Sequence, residues 1–347
     1  MEFKKILKKI EEINIESNID FKLKLSDETI WEDVFNKLEY KSVLCCNSFI
    51  QYQYIYNLSF EKTIYDISII LFFKKKPIGL LPLFYLGSNN SLSYINNDTD
   101  KKIFTPFFLP DISDEIKDKA LISTFKFLFE LKEFLKIHEI KIYFTNPFLK
   151  KDLNLSNLNN NFKLLENYDL YLDLSNSVDD IKKKIRKSYI SIINKEKSIK
   201  INVFDETKND EKIWLEFKDL HLQVSKRKTR SDESWNKQFK NLCDKKAFFF
   251  YLEKNNKLIA GSFFDVTNDE AHYSGSVFNE EARKNNISHF IQYAAIKFFK
   301  NKKIKWYYLG KYISKIDELN TKKDLNISFF KKGFSSSIVK NPVIVIS

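Results

Sequence analysis

Residues 247–277 read AFFFYLEKNNKLIAGSFFDVTNDEAHYSGSV. Three apolar, aromatic-rich runs lie in this stretch: Ala247–Glu253, Lys257–Val266 and Glu270–Val277. Asn255-Asn256 and Asn268-Asp269 separate them. Asn and Asp adopt the backbone conformations that tight hairpin turns demand, so the spacing predicts three consecutive antiparallel strands. A helical period follows at Ile287–Phe299, and then a strand at Lys305–Leu309. Upstream, Val178–Lys197 reads as one long basic helix and Lys200–Phe204 as a strand. Asp210–Val224 is a helix, joined by a basic loop to a second through Trp235–Cys243. Downstream, Ile327–Phe334 leads to a last apolar strand, Ser337–Val345.

The first half repeats this order without repeating the sequence. Met1–Ile15, Trp31–Leu38 and Ser48–Leu58 read as helices. Ile64–Phe73 and Ile78–Tyr85 form a hairpin signal around Lys74-Lys75-Lys76-Pro77. Asn89–Asp100 is a polar loop, Asp114–Ile137 a helix and Lys141–Thr145 a strand. Residues 149–165 are loop-like, and Tyr168–Leu174 alternates as a strand. Mixed helices and strands of both orientations argue for an α+β fold. With 347 residues, the chain fits two domains of about 100–200 residues each, here 1–175 and 176–347.

Composition narrows the class. Thirty-three Phe and 17 Tyr supply a large core, which excludes wholesale disorder. Three cysteines without CxxC spacing make neither a disulfide framework nor a zinc site, and a reducing, cytoplasmic setting is expected. The longest apolar run, Ile67–Phe73, is too short to span a bilayer, so no membrane insertion is expected. The four His are scattered and give no metal-binding pair, so no metal is expected. Residues 1–175 carry 23 basic and 25 acidic residues, and residues 176–347 carry 35 and 21. The net +14 of the second half points to an anionic partner or to a lysine-rich solvated surface. Lys supplies almost all of the positive charge. The four Arg, at 186, 227, 230 and 283, are therefore pointers, and all lie in the second half.

The second half resembles the GNAT acyltransferase superfamily, and within it the FemAB-like branch, which carries two GNAT-like domains in one chain. The resemblance rests on Arg186-Lys187-Ser188-Tyr189, and on Leu220-His221-Leu222-Gln223 followed by Lys226–Arg230 and Trp235. It also rests on Ala271–Ser276, Ile287-Ser288-His289-Phe290, Tyr308-Leu309-Gly310-Lys311 and Phe330-Lys331-Lys332-Gly333-Phe334. The first half matches in element order and in Ile78–Leu83. The implied fold is tandem GNAT-like domains, each a mixed, mainly antiparallel sheet flanked by helices. The second domain would carry the active site.

The resemblance implies N-acyl transfer from an acyl-CoA co-substrate to an amine or amino-sugar acceptor. That acceptor would belong to a nucleotide-activated sugar or a cell-envelope glycan precursor. Aminoacyl-tRNA is the alternative donor, and a catalytically inactive binding protein a third reading. The oligomeric state is left open. In GNAT enzymes glycines at a helix start cradle the donor pyrophosphate. Here Arg283 is in place, while Asn286 and Ser288 stand where glycines are expected. These three residues are the candidates for donor phosphates. His289, Tyr273 and His221 are candidates for moving protons. Arg227, Arg230 and Trp235 are candidate acceptor-binding residues, joined by Arg186, Lys187 and Lys332. The alternative for each is structural: a packed His or Tyr, or a solvated basic face.

Overall fold

The structure, a computed structural model, describes residues 3–13, 18–97, 100–144, 162–195, 198–204, 211–315 and 320–347. The chain forms two compact units, one of residues 1–167 with 340–347, the other of Tyr168–Val339. The division falls at 167/168 instead of 175/176, and the chain's last eight residues go to the first unit. The reason is pairing: Tyr143 to Ile140 run antiparallel to Val343 to Ile346.

The first unit packs small sheets around the 22-residue helix Asp114–Leu135. Its hairpin of Ile69–Phe73 and Lys76–Leu81 turns on Lys74 and Lys75, both with positive φ. Short strands replace part of the loop expected over Asn89–Asp100, with Ser91–Ser93 and Ile95–Asn97 paired to neighbours. The loop expected over 149–165 lies mostly outside the described residues, and its end at Phe162 is already strand.

In the second unit the elements are β1 (Phe162–Asp173, from Tyr168 on), α1 (Val178–Lys184), α2 (Lys187–Lys195), β2 (Asn202–Val203), α3 (Glu211–Ser225) and α4 (Asp232–Cys243). They continue as β3 (Ala247–Lys254), β4 (Lys257–Val266), β5 (Glu270–Phe278), α5 (Glu280–Lys284), α6 (Ile287–Asn301), β6 (Trp306–Lys311) and α7 (Lys322–Lys332). The strands lie in the order β2-β3-β4-β5-β6-β1. All pairs are antiparallel except β5 with β6. The three strands expected from residues 247–277 are β3, β4 and β5. Asn255 and Asn256 turn between the first two with φ of 52° and 57°.

Strand alternation sorts the phenylalanines onto two faces. Phe249 and Phe263 pack with Trp214, Phe217 and Trp235 beneath α3 and α4. Phe250 and Phe264 pack with Ile291, Ala295 and Phe299 beneath α6. Each buried Phe contributes about 1.5–3 kcal/mol of transfer free energy, which holds both helical layers to the sheet.

One expected element is broken. The long helix over Val178–Lys197 is two helices, α1 and α2, because Ile185 is extended and Arg186 turns its N–H to the Gly333 carbonyl. Residues 196 and 197 lie outside the described set. Among the described residues, no helix is long and apolar enough to cross a membrane.

Candidate active site

The two parallel strands of the sheet part company. Glu270, Ala271 and His272 of β5 pair with Trp306, Tyr307 and Tyr308 of β6, and there the pairing stops. Beyond it, β5 continues along β4 and β6 along β1. Each strand carries an irregularity at the parting. Ser274 is the extra residue of β5, between Tyr273 opposite Phe264 and Gly275 opposite Phe263. Leu309 is the extra residue of β6, between Tyr308 opposite Tyr171 and Gly310 opposite Leu170. Bulges of this kind bend a strand and re-aim its side chains. Together they open a gap lined by groups that a regular sheet would have covered.

Lys331, near the end of α7, fills that gap. Its Nζ lies 5.3 Å from the Tyr273 ring centroid. A side chain at Gly310 would put its Cβ 2.8 Å from the same amine, and Gly310 has φ of +107°. The backbone thus favours glycine there, while the amine, at the far end of a flexible side chain, can yield to a Cβ. Burial pushes the Lys331 amine down to about 8, against a smaller opposing pull from the Asp169 carboxylate. Asp169 is itself fixed by the Tyr308 hydroxyl at 3.1 Å. A lysine of this kind is mainly cationic at neutral pH but loses its proton far more readily than an exposed one. It can therefore stabilise negative charge or pass a proton.

Tyr273 does not present a free hydroxyl to the gap. It donates to Ser276 Oγ at 2.7 Å, and its ring stacks on Phe264. Burial raises the phenol. Its ring is thus a platform beneath Lys331, and its oxygen belongs to a buried polar cluster.

Three stretches that carried the resemblance converge in one aromatic cluster. Tyr189 meets His289 edge-on at 4.4 Å and packs on Phe330 and Phe334. Arg186 donates to the Tyr189 hydroxyl and to the Phe329 carbonyl, with its guanidinium 3.8 Å from the Phe329 ring centroid. Arg186 is therefore built into the fold, while Lys187 beside it is exposed. His289 is buried among these rings, with Nδ1 3.3 Å from the Asn286 carbonyl oxygen. Burial, with Arg186 as a smaller contributor, lowers its imidazole, and the Asn286 carbonyl opposes them. That environment keeps the ring neutral and enclosed, a packing position.

The start of α6 departs from a phosphate cradle. Asn286 does adopt the left-handed conformation, with φ of 55°. However, α5 runs directly into α6 and uses the donors between them. The N–H groups of Arg283, Asn285, Asn286 and His289 all bond to backbone carbonyls. Arg283 turns its Nε to the Phe278 carbonyl. Glu280 and Glu281 occupy the first turn of α5, where an anion would meet two carboxylates. Ser288 is half-buried on the first turn of α6.

On the other face of the sheet, the loop between α3 and α4 encloses a cavity of about 210 Å³. His221, Arg227, Thr229, Arg230 and Trp235 line it. Arg230 lies over the Trp235 ring at 4.4 Å and donates to Gln238 Oε1 at 2.7 Å. Arg227 is exposed at the rim. Burial, helped by the Arg230 charge, lowers His221 to about 4, so it is neutral but a weak base. This face is tied to the gap through Asp265 of β4, which accepts a hydrogen bond from Ser274 Oγ at 2.5 Å. Burial pushes the Asp265 carboxyl up to about 7, opposed by the Ser274 bond and by Arg230.

The structure thus groups Arg227, Arg230, Trp235 and His221 around one cavity, and places Tyr273 at the gap. His289 and Arg186 go to the aromatic cluster, and Arg283, Asn286 and Ser288 to the start of α6. Lys332, expected to bind substrate, is exposed and donates to the Tyr312 hydroxyl at 3.1 Å. Its neighbour Lys331 reaches the gap instead. Helical geometry separates adjacent residues by about 100°, so only one of the pair can face inward. Asp265 and Asp169 escaped the sequence reading because their significance depends on burial.

A family model for the C terminus of arginine-tRNA-protein transferase matches residues 166–330, a little under half of the chain. A comparison with curated proteins by sequence gives no match. The crystal structure of FemX is similar with a TM-score of 0.65 at 12% identity, covering 90% of this chain and 95% of that one. L-PGS from Bacillus licheniformis aligns with a TM-score of 0.53 at 11% identity, over 92% of this chain and 91% of that one. A tandem GNAT protein from the clavulanic acid biosynthesis pathway aligns with a TM-score of 0.50 at 10% identity, over 94% and 98%. The fold is that of the tandem GNAT-like acyltransferases. The parted strands β5 and β6, each bulged at the parting, are where that fold opens in this chain.

Proposed function

We propose that the chain is an aminoacyltransferase that moves an aminoacyl group from the ribose ester of aminoacyl-tRNA to an amine. It is a transferase of GNAT-like fold, and the choice of donor rests on one observation above others. The Lys331 amine sits in the opening between β5 and β6. The family model that covers this unit is that of a transferase named for a charged tRNA. The excess of positive charge in residues 176–347 suits an RNA partner. The start of α6 disfavours CoA, the donor first expected, because the amides of Arg283, Asn285, Asn286 and His289 are already bonded and two carboxylates stand before them.

In this reading the ester carbonyl lies in the gap over Tyr273. The neutral acceptor amine attacks the carbonyl carbon, the carbon–ribose oxygen bond breaks, and an amide and a free ribose hydroxyl result. Lys331 in its cationic form stabilises the oxyanion of the tetrahedral intermediate. It passes a proton to the leaving oxygen and is recharged by the proton the amine loses. The acceptor approaches from the α3–α4 side, where Arg227 and Arg230 can hold a phosphate or carboxylate. An amine on a nucleotide-activated sugar or a cell-envelope glycan precursor has that chemistry.

The test is a transfer assay with the purified full-length chain, tRNA charged with labelled amino acids, and a panel of amine acceptors. Label should move from tRNA into acid-stable amide, and the rate should fall steeply between about 50 and 200 mM salt. Transfer from acetyl-CoA in place of charged tRNA would refute the reading, and transfer from neither would favour a catalytically inactive binding protein.

A further inference from the structure

Where β3 begins and β4 ends, another cavity, of about 650 Å³, opens beside the ends of α4 and α6. Lys245, Lys246 and Lys302 line it together with Phe204, Phe248 and Phe298. The local fold places the lysines. Both helices finish in a left-handed turn. Lys245, with φ of 57°, follows α4, and the N–H groups of Lys245 and Lys246 close on the Leu242 and Asn241 carbonyls. Lys303, with φ of 62°, follows α6, and the N–H groups of Lys303 and Ile304 close on the Lys300 and Phe299 carbonyls. One turn brings Lys245 and Lys246 to the cavity, the other Lys302.

Cationic side chains at helix C-termini offset the helix dipole, and that alone would account for the lysines. It does not account for the floor. Phe248 and Phe298 meet edge-on at 4.8 Å, and both rings, like that of Phe204, are only half-buried. The Lys302 ammonium lies 5.6 Å from the Phe298 centroid and 6.0 Å from that of Phe248. Among the described residues, the lining holds no carboxylate. Of the described carboxylates that flank the lining in sequence, Asp244 is paired with Lys240 at 2.9 Å and Asp269 with Lys305 at 3.0 Å, while Asp265 accepts from Ser274. The cavity therefore offers flat apolar rings under a cationic rim. A ligand with a flat apolar part beside an anion complements it, and an unpaired nucleotide has that chemistry. Its base stacks on the rings and its phosphates meet the ammonium groups. An anionic bilayer matches the charge but not the shape, because side chains that enter a bilayer protrude and these rings are recessed.

We propose that this cavity binds an unpaired RNA nucleotide, a grip on aminoacyl-tRNA away from the reacting ester. The proposal rests on the aminoacyl-tRNA reading for its choice of RNA over other polyanions. The chain from Asn268 at the cavity to Ser274 at the parting of β5 and β6 spans at most about 20 Å, so one tRNA can reach both.

The probe is fluorescein-labelled octauridylate, followed by anisotropy on the full-length protein, with an abasic oligonucleotide of equal length and charge beside it. Octauridylate should bind roughly fivefold more tightly or better, the low end of the gain from one stacked base. Phe298→Leu should remove that preference. Lys246 and Lys302 are exposed, so their substitution should leave the fold intact. Lys246→Ala with Lys302→Ala should lower the slope of log K against log salt by about 1.4, the share of two phosphate contacts on a single strand. Equal binding of the two oligonucleotides, or an unchanged slope in the lysine variant, overturns the proposal. So does a failure to bind octauridylate, and binding to phosphatidylglycerol vesicles in that case would assign the cavity to a membrane surface. The comparison of the two oligonucleotides on the unsubstituted protein is decisive by itself if Phe298→Leu fails to fold. The probe carries no aminoacyl group, so the donor reading is tested separately. Transfer from charged tRNA with an unchanged KM in the lysine variant removes the cavity and leaves the donor reading. Base-dependent binding without transfer leaves the cavity as an RNA site and removes the donor reading.

Discussion

Lys331→Met is expected to lower kcat roughly 100-fold or more, the usual scale for loss of one preorganised group that stabilises developing charge. The fold should survive, and the sign follows from linkage. Burial lowers the folded-state pKa of Lys331 to about 8, from an ordinary 10.5. Below about pH 8 the folded state therefore carries a cation that it disfavours, and wild-type stability rises as pH climbs from 8 towards 10.5. Methionine removes that cation and fills the same space, so at pH 7 the variant should melt at the same temperature as the wild type or higher. Activity should also respond to pH. The cationic form is the active one, so wild-type kcat should decline above about pH 8. Lys331→Arg, which stays charged throughout, should lose that alkaline limb in whatever activity it keeps. Steady-state kinetics and thermal melts on the same samples separate the two effects. A methionine variant with wild-type kcat would show that the amine is packing alone.

Gly333→Ala is expected to destabilise the second unit by about 1–3 kcal/mol or more, the range for overpacking a filled core. The backbone is not the obstacle, since Gly333 has φ of −65°, which any residue adopts. The obstacle is Tyr189. A Cβ at position 333 would lie 2.0 Å from its ring. Tyr189 cannot retreat freely, because Arg186 holds its hydroxyl and His289 and Phe334 pack against its ring. The Gly333 carbonyl also accepts the Arg186 N–H that turns the chain between α1 and α2. Urea denaturation should show a lower midpoint for Gly333→Ala. Tyr189→Leu in the same chain should recover part of the loss, a coupling that a cycle of the two substitutions measures. An unchanged midpoint would contradict the packing described.

Much of this architecture is written in local signals. The aromatic runs of residues 247–277 and their Asn-rich turns specify the hairpins, because Asn255 and Asn256 take a conformation most residues avoid. Element order then carried the tandem fold. Signals were lost wherever a distant contact decides a local outcome. Lys182–Lys184 and Lys187 keep a helical, basic pattern across a break that exists because Gly333 captures the Arg186 N–H. The short strands at Ser91–Ser93 and Ile95–Asn97 are too polar to show period two.

The candidate site divides in the same way. Arg227, Arg230, Trp235 and His221 were legible because they are close in sequence and rich in the scarce Arg, and one loop does gather them. Lys331 and Asp265 were not. Each is one of many similar residues, and only the gap on one side of the sheet and the bulge at Ser274 give them their environment.

The most direct measurement is a crystal structure of the full-length protein with a stable mimic of aminoacyl-tRNA's 3′ end, an amino acid amide-linked to 3′-amino-3′-deoxyadenosine. Its carbonyl oxygen is expected in the gap between β5 and β6, within about 3 Å of Lys331 Nζ. A mimic anchored instead at the start of α6, with its carbonyl away from Lys331, would contradict this placement.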